Sequence, residues 1–168
     1  LYAGDAGPGL RIAEVLEKSP VIRNGSKIKA GHVIERIDGE TVAADVDPAR
    51  YFNRKAGKPM LLDLYDPKTN SRWVESVKPI SLWEENQLLY KRWVERCRHL
   101  VDSLSGGQLG YVRVRGRNDA RVRVVYDEAL GRYTSRKGLV VDTRFNGGGW
   151  LHDDLATFLN GKVYMRME

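Results

Sequence analysis

The hydrophobic pattern of this chain changes its period at Lys78-Pro79, and that change limits the folds open to it. Before this point, short apolar stretches are separated by turn residues, which is typical of strands. After it, apolar residues recur every three or four positions, which is typical of amphipathic helices. We therefore expect two domains, a β-rich domain over residues 1–79 and a domain over residues 80–168 in which helices and strands alternate.

Residues 1–79 carry the signals of a small antiparallel unit. Strands are predicted at residues 9–15, 32–42, 59–66 and 71–77. The Asp38-Gly39 pair divides the second stretch into a hairpin, because this dipeptide suits the tight turns that join antiparallel strands. Asp47-Pro48 offers an N-cap and a first-turn proline for a short helix through Tyr51, Phe52 and Lys55, which Gly57 ends. This content predicts a compact, partly open β-barrel.

Residues 80–168 predict the order helix, strand, helix, strand, helix. Ser81 and Glu84 form a capping box at the start of the first helix. Its apolar face contains Leu89, Trp93, Cys97, Leu100, Val101 and Leu104, and that of the second helix contains Val122, Val125, Tyr126, Ala129, Leu130 and Tyr133. Strands are expected at residues 109–116 and 138–145. The helix between them favours parallel pairing, because parallel strands need a long crossover.

Charge and composition exclude little. The formal net charge of +6 suits an acidic partner, but the arginines are interleaved with acids and apolar residues, so nucleic acid is not expected as a partner. No apolar run approaches the ~20 residues of a membrane span. The single cysteine, Cys97, excludes an internal disulfide, and neither a metal site nor a cofactor is predicted. Because the chain begins at Leu1 and not at Met, we expect a cleaved or shortened product.

Three consecutive glycines at residues 147–149 follow a predicted strand and precede a predicted helix. Glycine at such a junction lets backbone N–H groups approach an anion, either a bound phosphate or carboxylate or the oxyanion of acyl transfer. A phosphate loop is disfavoured, because neither phosphate-binding motif is present and Asp153 and Asp154 follow the glycines. A tight turn that merely uses glycine remains the simpler alternative.

The motif over residues 138–149 resembles a signature of the tricorn and C-terminal-processing serine peptidases. The matching positions are Gly138, Leu139, Asp142, Arg144, Asn146, Gly147, Gly148 and Gly149. Residues 19–42 resemble a PDZ domain, and residues 110–114 resemble the strand that opens the peptidase core of this family. The resemblance covers essentially the whole chain. It implies an α+β protein, with a small PDZ-like β-barrel domain, a helical linker and part of an α/β peptidase core of the crotonase and ClpP type.

The resemblance also implies roles for the residues around the glycines. The backbone N–H of Gly147 or Gly148 would form one side of an oxyanion hole, and Asn146 would cap the following helix. Asp142 and Arg144 would brace the loop, although an ordinary ion pair is an equal interpretation. Gly149 completes the motif.

The catalytic nucleophile of the family has no counterpart in this chain. In these peptidases the serine lies downstream of the glycines, so we expect the chain to be inactive alone and the rest of its own core to be a partner. A triad requires a base within hydrogen-bond reach of an activated Ser, Cys or Thr, and three histidines are available as candidates. His32 replaces the Asp of the PDZ pattern, His99 lies in the long helix, and only His152 follows the glycines closely.

The PDZ part departs from the family at its ligand groove. PDZ domains hold a peptide as an added strand, with its carboxylate in a backbone nest. Here Leu1, Tyr2 and Ala3 are all that precedes the Gly-rich turn, so the carboxylate loop is expected to be shortened. The helix with Tyr51 and Phe52 would form the other wall of the groove, and at least one of these aromatics is expected in the core.

These expectations combine into one hypothesis and two alternatives. The chain is interpreted as part of a serine endopeptidase that acts through an acyl-enzyme on a peptide or unfolded-protein substrate, which the PDZ part presents or gates. The main alternative is a PDZ-type peptide-binding module without catalysis, in which the glycines are a retained turn; nucleic-acid binding rests on charge alone. The hypothesis allows a homo-oligomer and favours the bacterial periplasm or cell envelope over the cytoplasm.

Overall fold

A computed structural model describes residues 3–4, 9–23, 25–43, 45–116 and 119–161 of the chain. The chain divides into two compact units, Leu1–Arg92 and Trp93–Glu168. The long helix that joins them begins in the first unit and ends in the second. The domain boundary predicted between residues 79 and 80 stays a prediction.

The first unit is built on a six-stranded antiparallel sheet. Its strands are β1 (Ala3–Gly4), β2 (Leu10–Ile12), β3 (Val33–Ile37), β4 (Glu40–Thr41), β5 (Met60–Asp66) and β6 (Ser71–Val77). Their order is β1-β2-β3-β5-β6, and β4 pairs with β3. Two short helices accompany the sheet, α1 (Pro20–Arg23) and α2 (Ala49–Phe52).

Alternation of side chains along β5 sets the core of this unit. Met60, Leu62 and Leu64 are at most 1% exposed, whereas Leu61 between them is 52% exposed. This period of two is what a strand with one covered face requires. The buried core contains Leu10, Ile12, Ile28, Ile34, Ile37, Val42, Tyr51, Met60, Leu62 and Leu64.

The sheet does not close into a barrel among the described residues, whereas the sequence predicted a partly open one. β1 and β6 are its two edges and do not pair with each other among the described residues. Closure requires continuous pairing around the ring, and β1 is only 2 residues long. The predicted hairpin is confirmed: Asp38 and Gly39 have φ of 50° and 83°, as a two-residue turn of the primed type requires.

Two local elements of the first unit differ from expectation. The strand expected at residues 9–15 extends only over Leu10–Ile12. Helix α1 at Pro20–Arg23 was not predicted from the sequence, although proline at the first helical position is a known start signal. The short helix after Asp47 is confirmed but ends at Phe52, and the Asp47 side chain accepts the Ala49 N–H at 2.8 Å.

Helix α3 (Leu82–Leu104) begins at the predicted capping box. The Glu84 carboxylate accepts the Ser81 N–H at 2.8 Å, and the Glu84 N–H donates to the Ser81 hydroxyl at 3.2 Å. The N–H and hydroxyl of Ser81 lower the pKa of Glu84, because both stabilise its ionised form. The predicted apolar face of α3 is largely uncovered at its end, where Leu100 and Leu104 are 59% and 80% exposed.

The second unit continues with β7 (Leu109–Arg113), α4 (Asp119–Asp127), β8 (Gly138–Asp142) and α5 (His152–Asn160). The two strands pair in parallel, from Leu109 opposite Gly138 to Arg113 opposite Asp142. This confirms the pairing expected from the helical crossover. No helix in the described ranges is long and apolar enough to cross a membrane.

The crossover ends in a π-helical turn, Glu128–Arg132, that the sequence did not predict. The Tyr133 N–H donates to the Glu128 carbonyl at 3.1 Å, five residues back. This wider turn changes which residues face inward. Val125 and Ala129 are buried as predicted, but Leu130 is 64% exposed.

Candidate functional site

The edge at which β7 and β8 end is the candidate site. Arg113 and Asp142, the last residues of the two parallel strands, lie opposite each other. Residues 143–151, with the three glycines, connect this edge to α5. In α/β layers, ligands bind outside the carboxyl ends of parallel strands. The fold therefore places the glycine segment where a functional loop is expected.

Asp142 is held by three groups at the start of this loop. It is 7% exposed, and its carboxylate accepts the Arg144 N–H at 2.9 Å and the Arg144 Nη2 at 2.6 Å. The Tyr111 hydroxyl donates to Oδ2 of the same carboxylate at 2.6 Å. The bonds from the Arg144 side chain contribute most to holding the pKa of Asp142 well below its usual range, and the other bonds add to this effect. A carboxylate that is held by these bonds and stays ionised suits a structural role in the loop better than proton transfer.

The pKa values of Tyr111 and Arg144 are both raised, as expected for two groups that donate hydrogen bonds to the Asp142 carboxylate. Burial, followed by the bond to Asp142, raises the pKa of Tyr111 well above its usual range. The Asp142 carboxylate likewise raises the pKa of Arg144. At neutral pH the three side chains are therefore a neutral phenol, a carboxylate and a guanidinium.

Arg113 is a central residue of the site and was not predicted from the sequence. It is 7% exposed, and its Nη1 donates to the Val114 carbonyl at 2.8 Å and to the Asp142 carbonyl at 2.9 Å. Its Nη2 donates to the Arg144 carbonyl. Arg113 thus ties the end of β7 to the end of β8 through backbone oxygens. An arginine flanked by Val112 and Val114 in a predicted strand was the available signal.

Trp93 on α3 lies beside both arginines. Its ring centroid is 5.2 Å from Cζ of Arg113 and 5.3 Å from Cζ of Arg144, within the range of cation–π contacts. The Phe145 ring approaches the same indole with its centroid 6.5 Å away. Cys97, one turn further along α3, is half-buried, and its Sγ is 4.0 Å from Nη2 of Arg144.

Asn146 fixes the loop but does not cap α5. Its Nδ2 donates to the Val114 carbonyl at 2.9 Å, and its Oδ1 accepts the Gly148 N–H at 2.7 Å. The helix begins at His152, and the residue before it, Leu151, makes no side-chain cap. The prediction that Asn146 caps this helix is therefore wrong, because five residues separate it from the first helical residue.

The two N–H groups expected in an oxyanion hole are both already hydrogen-bonded within the chain. The Gly147 N–H donates to the Arg115 carbonyl at 3.2 Å, and the Gly148 N–H donates to Asn146. Gly148 has φ of +85° and Gly149 has φ of +133°, so both occupy backbone conformations that favour glycine. A Cβ added at Gly147 or Gly148 would meet no atom within 4 Å. The space above these two peptides is open.

Two aromatic side chains flank the glycines and face solvent. Phe145 is 89% exposed and Trp150 is 85% exposed. Phe145 also has φ of +52°, an uncommon conformation for a residue with a large side chain. Strain of this kind is found most often at functional segments.

The predicted histidines are not gathered at this site. His32 lies in the first unit, with Nε2 3.8 Å from Oδ2 of Asp66, and His99 is exposed on α3. His152 is the first residue of α5, and its side chain is outside the described part of the chain. Among the described residues, no group of three or more His, Cys, Asp or Glu side chains could hold a metal ion.

The predicted peptide groove is only partly described. Leu1 and Tyr2 lie outside the described residues, and Ala3 pairs with Ile12 in β1. Tyr51 is 6% exposed in the core, where its hydroxyl accepts the Ala43 N–H at 3.1 Å. Phe52 is half-buried and packs against that core. Core placement therefore holds for Tyr51, and contact of the other residues with a peptide stays a prediction.

Comparison with known proteins finds the same relationship for both units. Residues 10–81 match the family described as the tricorn protease PDZ domain. The tricorn protease of Thermoplasma acidophilum is 32% identical over 151 residues, which are 89% of this chain and 13% of that protein. The tricorn protease homolog of Saccharolobus solfataricus is 30% identical over 151 residues, which are 90% of this chain and 13% of that protein.

A solved structure agrees with these matches. The crystal structure of the tricorn protease matches with a TM-score of 0.73 and 28% sequence identity, over 90% of this chain and 15% of that one. The chain therefore spans a small part of the length of the relatives it matches. By these similarities residues 10–81 belong to the family of tricorn protease PDZ domains, and most of the chain is similar to the tricorn proteases.

Proposed function

We propose that this chain is part of a serine endopeptidase that hydrolyses peptide bonds through an acyl-enzyme. The PDZ domain presents or gates a peptide substrate, and residues 80–168 contribute the N-terminal part of a peptidase core of the crotonase and ClpP type. A serine hydroxyl from outside this chain adds to the substrate carbonyl carbon and gives its proton to a base. The amine then leaves with that proton, and water releases the acid.

The glycine loop carries this proposal. The negative charge that develops on the carbonyl oxygen needs N–H donors already held in place. The Asp142–Arg144 pair and the two hydrogen bonds of Asn146 hold the loop in place just before the glycines and at Gly148. The open space above Gly147 and Gly148 leaves room for a substrate carbonyl to approach the backbone.

The present hydrogen bonds define what must change during the reaction. The Gly148 N–H now donates to Oδ1 of Asn146 at 2.7 Å. In the proposed mechanism, the oxyanion replaces this side-chain oxygen as the acceptor. A charged acceptor forms the stronger hydrogen bond, so the exchange is favourable in the transition state. The 3.2 Å bond from Gly147 to the Arg115 carbonyl is the longer and weaker of the two contacts.

The test uses the protein that contains this chain together with its flanking sequence. We expect a fluorophosphonate probe to label one serine outside residues 1–168, located by mass spectrometry. Gly148→Ala strains a residue with φ of +85° and turns its N–H away, so labelling should slow by about a hundredfold. Peptide hydrolysis should fall in parallel.

Gly106→Ala is the matched control. Gly106 also has positive φ, +57°, and a Cβ there would likewise meet no atom within 4 Å. Its labelling rate should equal that of the wild type. The absence of labelling in a protein shown to be folded by circular dichroism would overturn the peptidase proposal. Equal labelling of all three proteins would remove only the role of the glycine loop.

One observation favours a second candidate function, a PDZ-type peptide-binding module without catalysis. Both N–H groups of the glycine loop already have acceptors within the chain. A turn with a purely structural role is expected to have its N–H groups hydrogen-bonded within the chain in this way. This function predicts peptide binding that Gly148→Ala leaves unchanged, and no labelling of the longer protein.

A further inference from the structure

A cleft of about 800 Å³ lies in the first unit, at the end of the sheet where the segment before β3 meets the β5–β6 turn. Four basic residues line it: Lys27 and Lys29 from the first segment, Lys68 from the turn, and Arg72 from β6. Two rings complete it, His32 and Trp73, with centroids 5.1 Å apart. Neither the glycine loop nor helix α2 contributes to this cleft.

The cleft carries an excess of positive charge. Its one acidic residue, Asp66, already accepts the Lys68 N–H and the Thr69 hydroxyl, each at 2.9 Å. Arg72 is bound by the Glu35 carboxylate at 3.0 Å. The ammonium groups of Lys27, Lys29 and Lys68 are exposed, and no carboxylate of the described residues pairs with them.

The segment that presents two of these lysines is fixed by His32. The Lys29 N–H donates to Nδ1 of His32 at 3.2 Å, and the His32 N–H donates to the Lys29 carbonyl at 3.3 Å. The ring is held in turn against Trp73 and near Asp66. This explains the histidine at a position where the PDZ pattern has Asp. It also means that the lysines reach the cleft from a formed backbone, which reduces the entropy lost on binding.

We infer that this cleft binds an acidic peptide segment, with its carboxylates on Lys27, Lys29 and Lys68. The three ammonium groups come from two separate segments, which suits carboxylates spaced along an extended chain. Arg72, which could grip a phosphate bidentately, is already bound by Glu35. Strand β6, which starts beside the cleft at Ser71, is a sheet edge to which an extended peptide can add.

The test measures binding of two labelled peptides to the 168-residue chain by fluorescence anisotropy. One peptide alternates Glu with Val, and the other carries Gln at each Glu. We expect the Glu peptide to bind at least about tenfold more tightly than the Gln peptide. Lys29→Glu with Lys68→Glu should weaken binding of the Glu peptide by about tenfold or more, since like charges then face each other.

Lys58→Glu with Lys78→Glu is the control, because it changes the net charge equally at two exposed lysines outside the cleft. We expect it to leave the affinity for the Glu peptide within about twofold of the wild type. Circular dichroism would establish that both double variants are folded. Equal losses in both variants, equal binding of the two peptides, or binding of inorganic pyrophosphate without binding of the Glu peptide would each overturn the inference.

Discussion

The two units of the chain place their charged groups differently. In the first unit (Leu1–Arg92, the PDZ unit from here on), three ion pairs lie at the surface, Arg50–Glu40, Lys55–Asp38 and Arg72–Glu35. The most exposed is Arg50–Glu40, with side chains 65% and 55% exposed. In the second unit, Arg98 and Glu128 pair with side chains 15% and 16% exposed, and Asp142 is 5% exposed beside Arg144. The first unit is therefore held mainly by apolar packing, and the second by packing and by polar bonds around its strand ends.

This difference has an energetic consequence. Exposed ion pairs contribute little to stability, because water screens them and their side chains lose entropy on pairing. A buried polar group costs free energy as soon as its partner is removed. Single substitutions of charged residues should thus be tolerated in the PDZ unit and harmful at the ends of β7 and β8.

The largest expected effect is a cavity in the apolar core. Leu64 is 0% exposed at the centre of β5. Leu64→Ala should lower the free energy of unfolding of the PDZ unit by about 2–5 kcal/mol, because the cavity left behind adds to the lost burial. Urea unfolding followed by circular dichroism would measure the change.

Leu61→Ala is the control on the same strand. Leu61 is 52% exposed, so its truncation should change the free energy of unfolding by about 1 kcal/mol or less. Equal losses for the two variants would contradict the alternation of buried and exposed side chains in β5.

The next effect concerns Arg113, whose hydrogen bonds among the described residues all go to backbone carbonyls. Arg113→Met keeps much of the packing on Trp93 but leaves the carbonyls of Val114 and Arg144 without this donor. We expect a loss of about 1–3 kcal/mol in the second unit. Hydrogen exchange should also accelerate over residues 138–149, which mass spectrometry of peptides from this segment would show.

Arg123→Met tests whether the effect belongs to the site. Arg123 is exposed on α4, and its replacement should change neither the free energy of unfolding beyond about 0.5 kcal/mol nor the exchange of residues 138–149. If Arg113→Met behaved like this control, the glycine loop would not depend on the strand-end bonds.

The same difference explains how far the sequence could predict the structure. Apolar stretches separated by turn residues identified β5 and β6, and the helical crossover identified the parallel pair, because these signals extend over a whole element. The bonds by which Arg113 ties β7 to the end of β8 have no such signal, because they join residues 29 and 31 positions apart. The motif predicted where the glycine loop lies, but not that Asn146 would take up the Gly148 N–H.

The smallest expected effect is the acid sensitivity of the Asp142–Arg144 pair. In the folded chain the pKa of Asp142 is lowered, and the largest cause is the hydrogen bond from the Arg144 side chain. The ionised carboxylate therefore stabilises the folded state at every pH at which Asp142 is also ionised in the unfolded chain. This contribution is complete above about pH 4, the usual pKa of Asp, and is lost as pH falls through the lower folded value. It is modest because the Arg144 side chain is 63% exposed and water screens the attraction.

Asp142→Asn isolates the contribution of the ionised carboxylate to stability, since the amide keeps the shape of the side chain but cannot ionise. The difference in free energy of unfolding between wild type and variant should be constant from pH 8 to about pH 5 and shrink below about pH 4. Urea titrations at each pH would measure it. A difference that instead grew as the solution became more acidic would mean that the folded chain favours the protonated carboxyl, and the brace at the start of the glycine loop would then be a neutral one.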